Sequence, residues 1–161
     1  MNAETHLKVT HLQWGVKQSF RGYVEAAGGT ITVNGGAERT PDGGFTFPID
    51  EASVTLGDDG KPTGRATFQG EVTFKAHGGM LSVFLAEPIL EFSGDEAVLT
   101  VADTPSRKYR TEVARMDLSA INRDEAGLLI LPTTLAMHGI QWLGDHYTLR
   151  TPLDPATLVL G

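Results

Sequence analysis

The feature that most constrains the fold is a strict two-residue alternation along residues 66–75. Apolar residues or glycine occupy the even positions from 68 to 74, and polar residues occupy the odd positions from 67 to 75. A strand with one face against a core and the other in water shows this period. The pattern therefore predicts a single strand over 66–75.

Shorter apolar runs, each bounded by turn residues, predict the rest of the sheet. Turns are indicated at 34–36, 58–60 and 93–95, and the chain contains 19 glycines and 8 prolines, more than a helix bundle would use. Further strands are expected at 30–33, 80–85, 89–92, 97–102, 112–118, 128–131 and 157–160. The fold class that follows is mainly β, either a β-sandwich-like fold or an open barrel of many short antiparallel strands.

One early segment, residues 15–27, has the period of an amphipathic helix instead. Its predicted buried stripe consists of Val16, Phe20, Tyr23, Val24 and Ala27. Its predicted exposed side consists of Lys17, Gln18, Arg21 and Glu25. Two glycines at 28 and 29 are expected to end this helix. The apolar run at 133–138 fits either a second short helix or a strand. No internal repeat or linker is present, so residues 1–161 are expected to form one domain.

The charge balance and the lack of cysteine exclude several classes of function. The net charge is −7, with 13 basic residues scattered among 20 acidic ones, which does not suit a nucleic-acid-binding surface. The absence of cysteine excludes disulfides, thiolate metal sites and cysteine nucleophiles. The N-terminus lacks the apolar core of a secretion signal, and no segment has the length of a membrane span. The chain as it stands is expected to be cytoplasmic, without membrane insertion. A secreted or cell-surface protein that had lost its signal would look the same.

The candidate site residues are isolated ones, because the sequence contains no phosphate-binding loop, dinucleotide-binding glycine motif, nucleophile-elbow serine or paired-histidine metal motif. Tyr23 lies on the predicted buried stripe, with Ser19 one helical turn earlier, and His77 precedes two glycines. From periodicity alone, the simplest interpretation is structural. Tyr23 would be a core tyrosine with its hydroxyl at the edge of the helix, and His77 would be a turn histidine.

The sequence also resembles the HtaA domain family, haem-uptake modules of actinobacterial cell-surface and secreted proteins. The matching segments are Trp14–Tyr23, Gly29–Val33, Phe45–Pro48, Phe68–Leu81, Tyr147 and Thr151–Pro155. They follow the family's order over nearly the whole chain. The helix segment and the histidine turn are the specific parts of the match. The chain departs from the family at Gly78, where an aspartate is common.

The resemblance implies a β-rich, sandwich-like haem-binding domain. In the family, the tyrosine of the helix motif ligates haem iron, and the histidine of the turn motif forms a hydrogen bond with that tyrosine. Carried over, these residues are Tyr23 as the metal ligand and His77 as its partner. Ser19 would also lie at the site, and Trp142 would be the aromatic residue that packs against the porphyrin. The implied cofactor is ferric haem b, and the implied partners are haem and other haem-binding proteins.

The residue types agree with this chemistry, because ferric iron favours the anionic phenolate and a histidine can orient it. A haem carrier, storage or transfer protein is therefore the first interpretation. The alternative is a small enzyme in which Tyr23 and His77 act as an acid–base pair on an apolar ligand or biosynthetic intermediate. A third is an interaction module without a ligand. The sequence leaves open whether the chain is an enzyme and whether it forms a homodimer.

Overall fold

The structure, a computed structural model, describes residues 5–102, 107–124 and 126–161. Two α-helices are present in these ranges, α1 (Gln18–Ala26) and α2 (Met137–Trp142). The strands are β1 (Thr5–His6), β2 (Val9–Trp14), β3 (Thr30–Asn34), β4 (Glu38–Arg39), β5 (Phe45–Leu56), β6 (Pro62–Phe68), β7 (Glu71–Ala76), β8 (Leu81–Ala86), β9 (Ile89–Ser93), β10 (Glu96–Ala102), β11 (Arg110–Asp117), β12 (Asn122–Arg123), β13 (Leu129–Leu135) and β14 (Pro152–Leu160). Short 3₁₀ turns span His77–Gly79 and Leu118–Ala120.

The larger sheet closes on itself as an eight-stranded barrel. Its strands follow the order β5-β2-β14-β13-β11-β10-β9-β6, and β6 pairs back with β5. Every neighbouring pair is antiparallel. The short strands β1 and β4 extend from β5, and β12 extends from β13. The predicted mainly antiparallel β architecture is therefore confirmed, and the β5–β6 pairing adds that the barrel is closed.

The core of the barrel is built from large apolar side chains. Phe47, Leu90, Leu99, Met116 and Leu129 come from five different barrel strands, and all are buried. Burying such a side chain stabilises a fold by roughly 1.5–3 kcal/mol each. No helix in the described part of the chain is long and apolar enough to span a membrane.

A smaller sheet, β3-β7-β8, lies beside the barrel and carries α1. Three aromatic rings join these layers. The ring of Phe74 in β7 meets Phe20 of α1 at 5.3 Å and Phe45 of β5 at 5.7 Å, both edge to face. Edge-to-face contacts of this kind add to the stabilisation from buried area. The helix is thus fixed to the small sheet, and the small sheet to the barrel.

The predicted single strand over 66–75 is two strands in two different sheets. β6 ends at Phe68 in the barrel, and β7 begins at Glu71 in the small sheet. Gly70 between them has φ +120°, a conformation that residues with side chains rarely adopt. A Cβ on Gly70 would also lie 2.7 Å from that of Ala37. The chain bends here because the glycine permits it, although the alternation continues through the bend.

The predicted helix over 15–27 exists but is shorter, spanning Gln18–Ala26. Val16 has φ +64° and Lys17 is extended, so the helix begins only after them. The second helix lies at Met137–Trp142, whereas residues 133–135 complete β13. The remaining predicted strands are present with shifted ends. β2 and β5 were not predicted as strands.

Candidate functional site

The central feature of the candidate site is a contact between Tyr23 and His77. The Tyr23 hydroxyl lies 2.5 Å from Nε2 of His77, and the two ring centroids are 5.6 Å apart. Either side chain can donate this hydrogen bond, depending on the tautomer of His77. The structure therefore brings together two residues that stand 54 positions apart in the sequence.

Tyr23 is on the open side of α1 rather than on its buried stripe. Its side chain is 45% exposed, whereas Phe20 and Val24, its neighbours on the helix, are buried. The prediction that Tyr23 belongs to the core is therefore wrong. A helix of 3.6 residues per turn separates positions 23 and 24 by about 100°. The burial of Val24 against the small sheet thus turns the phenol ring toward the helix edge, within reach of His77.

His77 reaches Tyr23 from the end of β7, where the chain turns sharply. His77 itself has φ +54°, and Gly78 and Gly79 have φ +67° and +93°. Ala76 before the turn is buried, and the Met80 amide donates to the His77 carbonyl. A non-glycine residue at positive φ is uncommon and is often found at functional sites. The turn therefore fixes the backbone of His77 at a buried strand end.

The segment that follows α2 lies against both elements that carry this pair. The ring of Tyr147 meets Phe20 of α1 edge to face at 6.4 Å. A Cβ on Gly144 would lie 2.9 Å from Cδ1 of Leu81, the first residue of β8 after the histidine turn. Residues 144–147 therefore bridge the space between the helix and the turn.

Three large apolar side chains are exposed on segments that follow or precede these elements in the chain. Met80 is 92% exposed immediately after the histidine turn, and Leu149 is half exposed in the segment after Tyr147. Met137 is also exposed, at the start of α2. Leu149 and Met137 belong to one region, since Arg150 pairs with Leu135 through a backbone hydrogen bond. Met80 therefore places an exposed apolar side chain directly after the turn that carries His77.

The other two predicted site residues differ in their placement. Ser19 is exposed on α1, one turn before Tyr23, as expected. Trp142 ends α2, where its indole N–H donates to the Phe84 carbonyl at 2.9 Å and its ring stacks on Trp14 at 6.4 Å. Trp142 is thus held by the protein itself, whereas Tyr147 contacts the helix that carries Tyr23.

An ion pair under α1 was not predicted from the sequence. Arg21, predicted to be exposed, is buried, and its Nη1 lies 2.5 Å from Oδ2 of Asp154 in β14. The same Nη1 donates to the carbonyl of Gly15 at 2.7 Å. The prediction failed because the periodicity of α1 contains no information about a partner 133 positions away. The only local signal is Gly15, whose lack of a side chain leaves room for the pair.

The charge of Arg21 also affects a nearby turn. The pKa of Asp42 is lowered below its ordinary value, first because the Thr40 hydroxyl donates to this carboxylate and then because the Gly44 amide does, at 3.1 Å. Arg21 contributes a smaller electrostatic effect of the same sign. The turn before β5 therefore depends on an ionised Asp42.

Comparison with known proteins identifies one family. The family profile that matches the chain is HtaA, described as Htaa, over residues 9–159. The structure is similar to the C-terminal domain of HtaA from Corynebacterium glutamicum, with a TM-score of 0.75 and 29% identity over 97% of this chain and 99% of that one. The N-terminal domain of the same HtaA gives 0.73 and 24% identity, over 98% and 99%. No curated protein sequence matches the chain.

A third solved structure has the same fold at lower identity. It is the heme binding protein HtaB from Corynebacterium glutamicum, with a TM-score of 0.72 and 20% identity, over 99% of this chain and 96% of that one. At this identity the likeness concerns the fold alone.

Proposed function

The chain belongs to the HtaA family, and from this premise we propose that it binds ferric haem b, with the Tyr23 phenolate as the iron ligand. The observation that carries the proposal is the 2.5 Å contact between the Tyr23 hydroxyl and Nε2 of His77 at an exposed helix edge. The HtaA family profile, which matches residues 9–159, supports the same proposal. We assign to the chain the role of a haem carrier, storage or transfer protein.

The residues present suit a haem group. A tyrosine oxygen is an established axial donor to haem iron, and an exposed phenol leaves that oxygen accessible from solvent. A porphyrin is largely apolar, so its faces need apolar side chains around the donor. Met80, exposed directly after the turn that carries His77, supplies one such side chain. Tyr147 and Ser19 add polar atoms near the same helix.

Bound haem would supply a ferric ion that stabilises the phenolate over the phenol. The Nε2–H group of His77 would then donate a hydrogen bond to the phenolate oxygen and fix the orientation of the ring. A hydrogen bond to an anion is stronger than one between neutral groups, which strengthens this support once Tyr23 is ionised. The protein residues thus hold the ligand oxygen in place before haem arrives, and this lowers the cost of ordering it on binding.

The test is a hemin titration of the wild type and of Tyr23→Phe, followed by absorbance. The variant keeps the aromatic ring and removes only the oxygen. We expect stoichiometric binding with a tyrosinate-type ferric spectrum in the wild type, and loss of both in the variant. Tyr109→Phe is the matched control, because Tyr109 is another exposed tyrosine, 72% exposed, in the segment before β11. Equal hemin binding by wild type and Tyr23→Phe would contradict the proposal.

The same contact supports a second candidate function, an enzyme that uses Tyr23 and His77 as an acid–base pair. A phenol and an imidazole at hydrogen-bond distance can pass a proton between a bound ligand and solvent. This candidate gains support if the purified protein is colourless and does not bind hemin. It loses support if hemin binds stoichiometrically at Tyr23.

A further inference from the structure

We infer that Arg21 and Asp154 are positioning residues of the candidate haem site, holding α1 where Tyr23 meets His77. The inference rests on the proposed function for its consequence in haem binding. Its structural part concerns only the Tyr23–His77 contact and can be tested without haem.

Asp154 makes two side-chain contacts with α1 through its two carboxylate oxygens. Oδ1 accepts the amide of Gln18, the first residue of the helix, at 3.0 Å. Oδ2 pairs with Nη1 of Arg21, which lies on the first turn. The helix lacks a cap from its own sequence, because Lys17 at the N-cap position makes no side-chain cap bond. The carboxylate of a distant strand therefore performs the role that an N-cap residue usually performs.

The backbone of Asp154 also makes two hydrogen bonds that fix its position. Its amide donates to the Val16 carbonyl at 2.9 Å, and its carbonyl accepts the Trp14 indole N–H at 2.9 Å. Trp14 is buried at the end of β2, so this contact joins Asp154 to the barrel. The start of α1 is consequently tied to β14 and β2 together.

The Arg21–Asp154 ion pair lies against Gly15, at a position where a side chain would not fit. Arg21 is only 8% exposed, and Gly15 is the residue against it. A Cβ on Gly15 would overlap Nη1 of Arg21 and lie 2.5 Å from Oδ2 of Asp154. Arg21 is buried and has a partner for its charge, which is the condition under which a buried arginine is tolerated. Gly15, Arg21 and Asp154 thus form one packed unit, which we term the helix clamp.

The clamp bears on the site because Tyr23 is two positions after Arg21 on the same helix. His77 is held independently, by β7 and its turn. The Tyr23–His77 distance of 2.5 Å therefore depends on how α1 sits relative to β7. Phe20 packs the helix onto Phe74 through apolar rings, a contact without the directionality of a hydrogen bond or an ion pair. The directional bonds of Asp154 are what set the position of α1 along its axis.

The experiment uses Arg21→Met, which removes the charge but keeps a flexible apolar chain of similar length, and Gly15→Ala, which keeps both charges and pushes them apart. The first readout is the ¹⁵N NMR signal of the His77 ring in the haem-free protein, assigned with His77→Ala. We expect this signal to move in both variants toward its position in Tyr23→Phe. We also expect hemin to bind about 10- to 100-fold more weakly, the range typical of residues that support a metal ligand. Arg21→Lys, which can still reach Asp154, should recover part of that affinity.

Two controls separate positioning from loss of stability. Lys61→Met breaks an ion pair with Asp95 on the hairpin turns of the barrel, and Val54→Ala opens a small cavity in β5. Neither should change the His77 signal or hemin affinity, even where the melting temperature falls as far as in Arg21→Met. If Arg21→Met does not fold, Gly15→Ala and Arg21→Lys decide the question.

An unchanged His77 signal together with unchanged hemin affinity in folded Arg21→Met or Gly15→Ala would overturn the inference. Hemin binding by Tyr23→Phe at wild-type affinity would instead overturn the proposed function. In that case the His77 ring signal of the haem-free variants would still decide whether the helix clamp positions Tyr23. A shifted signal would support this role, and an unchanged signal would refute it.

Discussion

Tyr23 and His77 share a hydrogen bond of 2.5 Å, although one lies on a helix and the other at the end of a strand 54 positions later. Each is held by its own element, Tyr23 by the packing of α1 and His77 by the 3₁₀ turn after β7. The pair is therefore formed by the fold before any ligand binds. This is the arrangement expected under the proposed function, in which the Tyr23 oxygen is the metal donor and His77 is the residue that supports it.

We expect His77→Ala to weaken hemin binding by about 10- to 100-fold without abolishing it, because the phenolate would lose its partner but keep the iron. The measurement is a hemin titration with the ferric spectrum recorded at saturation. His11→Ala is the matched control, since it removes another exposed histidine, from the barrel strand β2. A low-spin, two-ligand spectrum in the wild type that disappears in His77→Ala would show that His77 binds the iron directly.

The aromatic residue that contacts the porphyrin can be identified by comparing Trp142→Leu with Tyr147→Leu. Trp142 is held by Trp14 and Phe84, whereas Tyr147 contacts Phe20 beside the Tyr23 helix. We therefore expect Tyr147→Leu to weaken hemin binding more, and Trp142→Leu to lower the melting temperature more. The opposite order in hemin affinity would support the assignment of Trp142 that the family resemblance implies.

The sequence predicted the elements well where the signal is local. The period of 3.6 located α1, and glycine turns located hairpins such as β9–β10 around Gly94, which has φ +62°. The sequence did not predict β5, because Pro48 and the acidic residues 50 and 51 disfavour a strand. It also placed a single strand across Gly70, because a conformation with positive φ leaves no trace in the alternation of apolar residues.

The candidate site was harder to predict from local patterns. Periodicity placed Tyr23 in the core and Arg21 in solvent, and the structure reverses both. The reason is Asp154, a partner in β14 that draws Arg21 under the helix and leaves Tyr23 on the open side. Only the family resemblance joined Tyr23 to His77 in advance. Contacts between positions this distant in sequence depend on strand order, which periodicity does not specify.

Phe74→Ala should destabilise the protein strongly, because Phe74 is fully buried between Phe20 and Phe45. Truncation of a buried phenylalanine costs about 3–5 kcal/mol of the free energy of unfolding. Chemical denaturation measures this directly, with Phe74→Leu as a milder reference. We also expect weaker hemin binding, since α1 and β7 both rest on this ring. A loss under 1 kcal/mol would contradict the description of Phe74 as the joint between the layers.

Asp42 should make stability depend on pH in the acid range. Its pKa in the folded protein is below the ordinary value of 3.8, chiefly because Thr40 and Gly44 donate to the carboxylate. The stabilisation is therefore complete above the unfolded-state pKa and is lost as the pH falls through the lower folded-state pKa. We expect Asp42→Asn to melt below the wild type at pH 5–7 and the gap to narrow below about pH 3.8. A gap that stays constant down to pH 2.5 would contradict this assignment.

Reduction of the iron should release haem or weaken its binding. A phenolate is an anionic oxygen donor, and such a donor favours Fe(III) over Fe(II) because the higher charge binds the anion more strongly. We expect the hemin-loaded protein to lose its tyrosinate-type spectrum on anaerobic reduction with dithionite and to transfer haem faster to an excess of apomyoglobin. In the ferric state, His77→Ala should transfer haem faster than the ferric wild type does, since the phenolate of the variant has one stabilising contact fewer. Equal transfer rates before and after reduction would indicate that a ligand other than the Tyr23 oxygen holds the iron.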